Sequence, residues 1–379
     1  MTDLLRSALP THNDPALAEA ARRPWIVDQA KSGLAEARRA PQYATLNLSR
    51  WFRKNRKLGS RDRPIVSDIV HGVIRHEAFL LRSGARSVDD LIAMWAAMIE
   101  GDHFLSVEAA SPAEDLATAL NVPGPVASEW LDALGVEGAA AFAQALNQRP
   151  AMHIRANKLK TTRLQLAENL KAEGVETTEI PAVETGLEVV GRANLTQTKA
   201  FKAGLFEVQD ASSQMLCSTL PIEPGMRVLD LCAGAGGKSL AVAALGGRVT
   251  ATDIRSSALN ELEKRAQRAG AQIAIEEPEP APLVLVDAPC SGSGRLRRNP
   301  ALRWGLTDGS YVDTQAALIL AATELVEPGG LLAYATCSLF RRENDHRVPD
   351  GWRVESERTL WPHVDGTDGF FWRFMRRAQ

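Results

Sequence analysis

Arg227-Val228-Leu229-Asp230-Leu231-Cys232-Ala233-Gly234-Ala235-Gly236-Gly237-Lys238 is the stretch on which the reading of this chain turns. A short apolar run ends in an acid, and a glycine-rich turn then leads into a segment with helical character from Lys238 to Leu245. Strand, glycine turn and helix in that order bring the free N–H groups of a helix start to the carboxyl end of a strand, where open α/β sheets handle ligands. Asp253 ends the next apolar run about 20 residues on, where an acid accepts hydrogen bonds from ribose hydroxyls. A glycine turn plus an acid suits a nicotinamide, a flavin or S-adenosylmethionine equally, and the glycines alone are also compatible with nothing more than a tight turn.

Working outward, two cysteines follow apolar runs further on, in Val286-Asp287-Ala288-Pro289-Cys290-Ser291-Gly292 and Tyr334-Ala335-Thr336-Cys337-Ser338. A free cysteine is more often a small buried hydrophobe than a reagent. Here Pro289 and Gly292 end a strand in a turn, and Thr336 and Ser338 put Cys337 in polar company, so both thiols belong at strand ends facing the crevice of the glycine turn.

Strand and helix signals alternate after Phe201. The expected strands are Arg227 to Leu231, Val249 to Thr252, Gln272 to Glu276, Leu283 to Asp287, Leu331 to Ala335 and Phe370 to Met375. Helices are expected at Lys238 to Leu245, Ser257 to Ala269 and Asp313 to Val326. The fold class is α/β: a doubly wound, Rossmann-like domain over 201–379, preceded by a small α/β subdomain over 148–200 and an all-helical domain over 1–147. In the middle part Met152 to Arg155, Val175 to Glu179 and Leu187 to Val190 read as strands, with Thr162 and Gln165 as a capping box. In the first part Ile65, Ile69 and Val73, with Val66, Val70 and Ile74, make an apolar helix face. Ser87 with Asp90, and Ser111-Pro112, read as helix starts.

The chain has 379 residues, a formal net charge of −2 and four cysteines. No Cys-x-x-Cys spacing and no histidine pair at ligand spacing is present, which argues against a disulfide framework and against a metal site. No run is long enough to span a bilayer, and Met1 to Pro15 lacks the apolar core of a signal peptide, so the expected location is the cytoplasm. Without a global positive field, nucleic-acid binding has to come from local patches. One is Arg50, Arg53, Lys54, Arg56, Lys57, Arg61 and Arg63, with Trp51 and Phe52 among them, which reads either as a solvated face or as a phosphate contact. Arg295, Arg297, Arg298 and Arg303, with Arg341 and Arg342, are expected at phosphates, and Trp304 either stacks on a base or packs in a core.

Two thiols and Asp287 do not suit hydride transfer. They suit covalent attack: a thiolate adding to carbon-6 of a pyrimidine makes carbon-5 nucleophilic toward a methyl donor, and a second group must then help remove the carbon-5 proton.

At this point Gly204-Leu205-Phe206-Glu207-Val208-Gln209-Asp210-Ala211-Ser212-Ser213-Gln214, the glycine turn with Lys238, Asp287-Ala288-Pro289-Cys290-Ser291-Gly292-Ser293-Gly294, Arg298-Asn299-Pro300, Thr336-Cys337-Ser338 with Glu343-Asn344, and Asp368-Gly369-Phe370-Phe371 resemble the NOL/NOP/Sun family of RNA cytosine-C5 methyltransferases. The resemblance runs from about His153 onward. Gly59-Ser60-Arg61-Asp62-Arg63 and Gly72-Val73-Ile74-Arg75 resemble, less sharply, the NusB-like helical domain of its bacterial ribosomal-RNA members.

The resemblance implies Cys337 as nucleophile, Cys290 as the thiol that resolves the adduct, and Asp287 against the target base and the cofactor's methyl group. It implies an S-adenosyl-L-methionine site lined by Cys232, Ala233, Gly234, Ala235, Gly236, Gly237 and Lys238, with Asp253 on the ribose. It also implies RNA-binding roles for the helical domain and the small subdomain. Ala235 stands where the family usually has proline. The adenine-contacting acid at the end of the third strand is not an aspartate, leaving Glu276 or Glu277 to substitute. The short stretch between Glu343-Asn344 and Trp361-Pro362 suggests a trimmed peripheral helix.

The expected function is methylation of cytosine carbon-5 in small-subunit ribosomal RNA. The expected partner is RNA, with no membrane, no metal and a monomer favoured. A transfer-RNA cytosine-C5 methyltransferase and a non-catalytic RNA-binding ribosome assembly factor are the alternatives.

Overall fold

The computed structural model describes residues 2–10, 13–40, 43–101, 107–306 and 311–378, so the outer ends of the first and last expected domains, Met1 and Gln379, lie outside the described residues. The chain divides into two compact units. One comprises Met1–Pro150, Gly292–Asp308 and Trp361–Gly366, the other Ala151–Ser291, Gly309–Leu360 and Thr367–Gln379.

The second unit holds two sheets. The smaller is formed by β1 (Met152–Ala156), β2 (Thr177–Glu179), β3 (Gly186–Val189) and β4 (Phe206–Val208) in the antiparallel order β2-β3-β1-β4. Ile154, Ala156, Leu187, Val189 and Phe206 form its apolar side against Leu166 and Leu170 of helix Arg163–Ala172, which starts in the expected Thr162/Gln165 capping box. Its other side is polar and also buried: Arg155, Glu207 and Gln209 all face inward. Glu207 satisfies that burial by accepting from Arg265 and Arg268 of helix Ser256–Ala269. A buried carboxylate is tolerable only when paired in this way.

The larger sheet is built from β5 (Arg227–Asp230), β6 (Arg248–Ala251), β7 (Ile273–Ala274), β8 (Ala281–Asp287), β9 (Val326–Thr336), β10 (Trp352–Leu360) and β11 (Phe370–Arg377) in the order β10-β11-β9-β8-β5-β6-β7. β7, β6, β5, β8 and β9 are parallel, and β11 and β10 are antiparallel to their neighbours. Helices cover both faces. Leu240, Val242, Leu262 and Ala266 pack on Val228, Val249, Leu283 and Leu331, while Ile319 and Ala322 pack on Leu229, Val284, Val286 and Tyr334. Two details differ from the sequence reading. The stretch between Asn344 and Trp361 holds β10, a strand the sequence reading did not foresee, because this edge strand is so charged (Arg353, Glu355, Glu357, Arg358) that it carries no apolar alternation. β7 pairs over two residues only, and the connection 275–280, with Pro278 and Pro280, returns to β8 with no crossover helix.

In the helical unit, Asp62–Arg82 is the central helix, with Val66, Ile69, Val70, Val73 and Ile74 buried as the periodicity predicts. Gly72 lets Trp95 approach, since a Cβ there would stand 2.3 Å from the indole ring. Capping boxes at Ser87/Asp90 and Ser111/Glu114 open two further helices. The last helical segment is Gly124–Asn147, bent where Gly135 takes φ +66°. The segment following Ser291 is built into this unit. Arg303 is 1% exposed and donates to the carbonyls of Arg75 and Leu146 and to Asn147 Oδ1, while Arg297 donates to the Gly366 carbonyl. Trp304 Nε1 donates to Glu77 at 2.8 Å, with Arg38 over its ring. The expectation of phosphate contacts at Arg297 and Arg303 is therefore corrected: both are buried on backbone carbonyls, and Trp304 packs instead of offering a face for stacking.

Gly204 is the tightest glycine in the second unit, at φ +72° and with a Cβ position only 2.0 Å from the Arg268 carbonyl oxygen. Gly204→Ala is expected to lower the unfolding free energy by about 2–4 kcal/mol, from left-handed strain plus a backbone collision. Urea unfolding followed by circular dichroism measures it, and an unchanged midpoint would contradict the packing described here.

Candidate active site

β8 and β9 run parallel with Asp287 opposite Ala335, and the Ala288 N–H donates to the Ala335 carbonyl at 2.9 Å. The two strands therefore end level, and the next few residues bring Cys290 Sγ to 3.3 Å from Cys337 Sγ. Both thiols are partly exposed. The loops are fixed by buried acceptors. Glu343 accepts from the Ser291 N–H at 3.1 Å and the Ser291 hydroxyl at 2.8 Å, and Ser291 Oγ lies 3.2 Å from Ser338 Oγ. Tyr334 donates to the Glu343 carbonyl, and Asn344 bridges Thr336 Oγ1 and the Ser338 carbonyl. Gln315, on helix Val312–Leu325, donates to the Pro289 carbonyl at 2.9 Å, with its own oxygen 3.2 Å from His346 Nε2.

Lys238 reaches across from the helix after the glycine turn to Asp287, at 2.6 Å, with its ammonium 5.1 Å from the centre of the Phe370 ring. Burial by itself would discharge this lysine, but the charge and hydrogen bond of Asp287 outweigh it and hold the lysine above its ordinary value. Behind it Ser239 donates to Asp230 at 2.6 Å, and burial raises Asp230 to about 6.

The glycine turn is shaped by Gly234 at φ +55° and Gly236 at φ +82°, the latter with Leu262 where a side chain would go. The Gly234 N–H donates to Asp253 at 2.9 Å, and Arg255 holds the other carboxylate oxygen. Asp253 is held below the usual carboxylate range because those hydrogen bonds exceed the penalty of burial. Two bonds tie the turn to the small sheet. Arg265 donates to the Ala235 carbonyl while gripping Glu207, and Gln209 donates to the Gly237 carbonyl while accepting from Arg155. Beside this turn Ile254 is fully exposed at the end of β6, and Ile275, 40% exposed, follows β7.

Cys290, Cys337, Asp287 and Lys238 thus form one cluster, with Cys232, Ala233, Gly234, Ala235, Gly236, Gly237 and Asp253 around the neighbouring strand ends. Glu276 does not join it. It is exposed in the 275–280 connection and, with Glu277, Glu279, Arg227 and Arg248, lines a cavity of about 1010 Å³ that none of the cluster residues borders. Cys232 is pushed up to about 12 by burial and by Asp230, Asp287 and Asp253, and Cys217 to about 11 by burial, so both stay neutral thiols. Among the described residues no cluster suits a metal ion, and no helix is long and apolar enough to cross a membrane. Sequence reasoning did not single out Gln315, His346, Ile254 or Ile275. A buried glutamine in an apolar helix was the available signal for Gln315.

The strand order, the antiparallel β11 inserted beside β9, the glycine turn and the acid on the next strand define a Rossmann-like fold of the methyltransferase kind. Residues 217–356 match the family described as 16S rRNA methyltransferase RsmB/F, and residues 122–196 match the ferredoxin-like domain described for RsmF/B-like methyltransferases. Over these two segments the chain is similar to the RsmB/F methyltransferases. It is 33% identical over 273 residues to a probable ribosomal RNA small subunit methyltransferase B of Synechocystis, covering 61% of each chain. With the Bacillus subtilis protein of the same description it shares 29% identity over 307 residues, 70% of this chain and 68% of the relative. The chain thus spans about three-fifths to two-thirds of the length of these relatives. A methyltransferase homologue from Pyrococcus horikoshii has the same fold with a TM-score of 0.62 at 24% identity, covering 71% of this chain and all of that one. NSun6 from Pyrococcus horikoshii, solved with SFG, an S-adenosylmethionine analogue, gives 0.59 at 20%, covering 66% and 97%.

Asp230 carries a pH signature. Its carboxyl keeps a proton up to about pH 6 in the folded chain, whereas the unfolded chain releases it near 3.8. The native state binds the extra proton in that window, so this group's effect on stability worsens as pH rises through it and levels off above 6. Asp230→Asn is expected to remove about 1–3 kcal/mol of the wild-type decline between pH 4.5 and 7. Urea unfolding across that range tests it; parallel curves for both proteins would contradict the shift.

Proposed function

We propose that this protein is an S-adenosylmethionine-dependent RNA cytosine-C5 methyltransferase acting on small-subunit ribosomal RNA in the cytoplasm. The observation that carries the reading is the 3.3 Å approach of two thiols from adjacent strand ends beside the Lys238–Asp287 pair. Residues 1–147 are assigned as a NusB-like RNA-binding domain, 148–200 as a small RNA-binding subdomain and 201–379 as the catalytic domain.

The residues around the glycine turn fit the cofactor. Gly234 and Gly236 keep the backbone bare, the helix from Gly237 offers its N–H groups, Asp253 stands on the adjacent strand end, and the exposed Ile254 supplies an apolar surface for a base. When bound, S-adenosylmethionine supplies an electrophilic methyl group. Asp287 is assigned to the target base, held in place by Lys238. The base must leave its stack to reach the thiols.

In the proposed reaction the Cys337 thiolate forms a bond to cytosine carbon-6, and carbon-5 becomes nucleophilic and takes the methyl group. Cys290 assists loss of the carbon-5 proton, the carbon-5–carbon-6 double bond re-forms, and the bond to Cys337 breaks. Glu343 and Gln315, which grip the backbone on either side of Cys290, keep the second thiol against the first.

Labelled methyl transfer to unmodified small-subunit ribosomal RNA, with nuclease digestion of the product, is expected to yield 5-methylcytosine. Cys337→Ala is expected to lower the rate by at least about a thousandfold, as loss of a nucleophile does. Cys290→Ala is expected to accumulate a denaturation-resistant protein–RNA adduct. Full turnover by Cys337→Ala would overturn the nucleophile assignment. Transfer to transfer RNA alone would change the substrate, and cofactor binding without transfer to either RNA would favour an assembly factor.

A further inference from the structure

The residues from Arg50 to Arg63 include seven cations and a single acid, Asp62, in a chain of net charge −2. Helix Ala44–Lys54 turns Ala44 and Leu48 inward and leaves Leu46, Ser49, Arg50, Arg53 and Lys54 exposed, the spacing of one helix face. Arg56, Lys57 and Arg61 continue the exposed charge through the turn that follows. The backbone beneath is firmly held. Trp51 donates to Ser32 at 3.2 Å and packs edge-on to Phe52, Asn55 donates to Gln29 at 2.8 Å, and Leu58 is buried.

None of Arg50, Arg53, Lys54, Arg56, Lys57 and Arg61 makes an ion pair among the described residues. Elsewhere in the same unit several exposed cations are matched, Arg22 by Glu100, Lys31 by Asp89 and Arg39 by Glu36. A helix carboxyl end favours Arg53 and Lys54, but it gives no reason for four more cations, which repel one another at these spacings. Such a cluster is relieved by a polyanion.

We infer that this rigid basic face is a sequence-independent docking surface for the phosphate backbone of RNA, adding substrate affinity without taking part in methyl transfer. The inference rests on the proposed RNA substrate. A membrane surface fits less well, because Ala44 and Leu48 are packed inside the unit and Leu46 is the one exposed aliphatic side chain of the helix, too little apolar surface to insert among lipids.

The test measures binding of a labelled small-subunit ribosomal RNA fragment to the full chain over a salt series. It compares the wild type with a variant carrying Arg50→Gln, Arg53→Gln, Lys54→Gln and Lys57→Gln. Each lost phosphate contact is expected to reduce the slope of log affinity against log salt by about 0.7–0.9, so the variant, with four cations removed, should lose roughly 3 in slope and at least about tenfold in affinity at 0.1 M salt. KM for RNA should rise with kcat kept, while calorimetric S-adenosylmethionine binding and Tm stay unchanged. Exchanging the same residues Arg for Lys and Lys for Arg should retain the slope. Wild-type slope and affinity in the glutamine variant would overturn the surface while leaving the enzyme reading intact. No RNA binding by the wild type would sink both. Binding to phosphatidylserine vesicles that is lost in the glutamine variant, with RNA binding unaltered, would replace RNA by lipid.

Discussion

The parallel pairing of β8 with β9 is the constraint on which the site depends. Residues Asp287 and Ala335 face each other, and from that register the two chains run on into turns that deliver Cys290 and Cys337 to one place. A slip of one residue would displace one strand by about 3.3 Å and turn its side chains to the opposite face. The register is protected by burial on both faces. Leu283 and Leu285 lie against one helix layer and Val284 and Val286 against the other, so a slip would exchange leucines for valines in both close-packed layers and cost packing in each.

Around this register the polar groups are satisfied almost entirely by one another. Glu343 is completely buried and finds its donors in Ser291, the residue after the second thiol. Lys238, whose side chain is 11% exposed, finds its counter-ion in Asp287, the last residue of β8. Removing either partner would strand a buried charge or donor, whereas an apolar replacement of both would be far less costly. That asymmetry argues that these groups are kept for where they hold the chain and not for net stability.

Much of this was legible in the sequence because strand ends announce themselves. Pro289 with Gly292, Thr336 with Ser338, and the glycines after Asp230 mark where apolar runs stop, and a parallel sheet collects those stops along one edge. Illegible features were those set by tertiary partners. β10 is too charged to look like a strand, and it exists because β11 offers it a ladder. Arg297 and Arg303 look like phosphate ligands in a basic run, yet their partners are carbonyls more than a hundred residues away in sequence or on a later segment. The resemblance left Glu276 or Glu277 to stand in for a missing aspartate, and the prolines Pro278 and Pro280 that follow draw this stretch into a bare connection. The grip of Arg265 and Gln209 on the glycine turn required knowing that the polar side of the small sheet is buried.

The helical unit is assembled from three separated stretches of chain, and this has a bearing on the order in which the protein is made. Ribosomal synthesis delivers the amino-terminal half first, and most of the helices exist before β5 has been translated. Yet the bed of carbonyls at Arg75 and Leu146, and the aromatic face of Phe142, receive Arg303 and Trp361 only when those residues emerge. Until then the first unit is an unfinished core with open seats. Its final consolidation comes late in synthesis, after both thiol-bearing turns have been made, so folding of the helical part and completion of the crevice are tied to nearly the same moment.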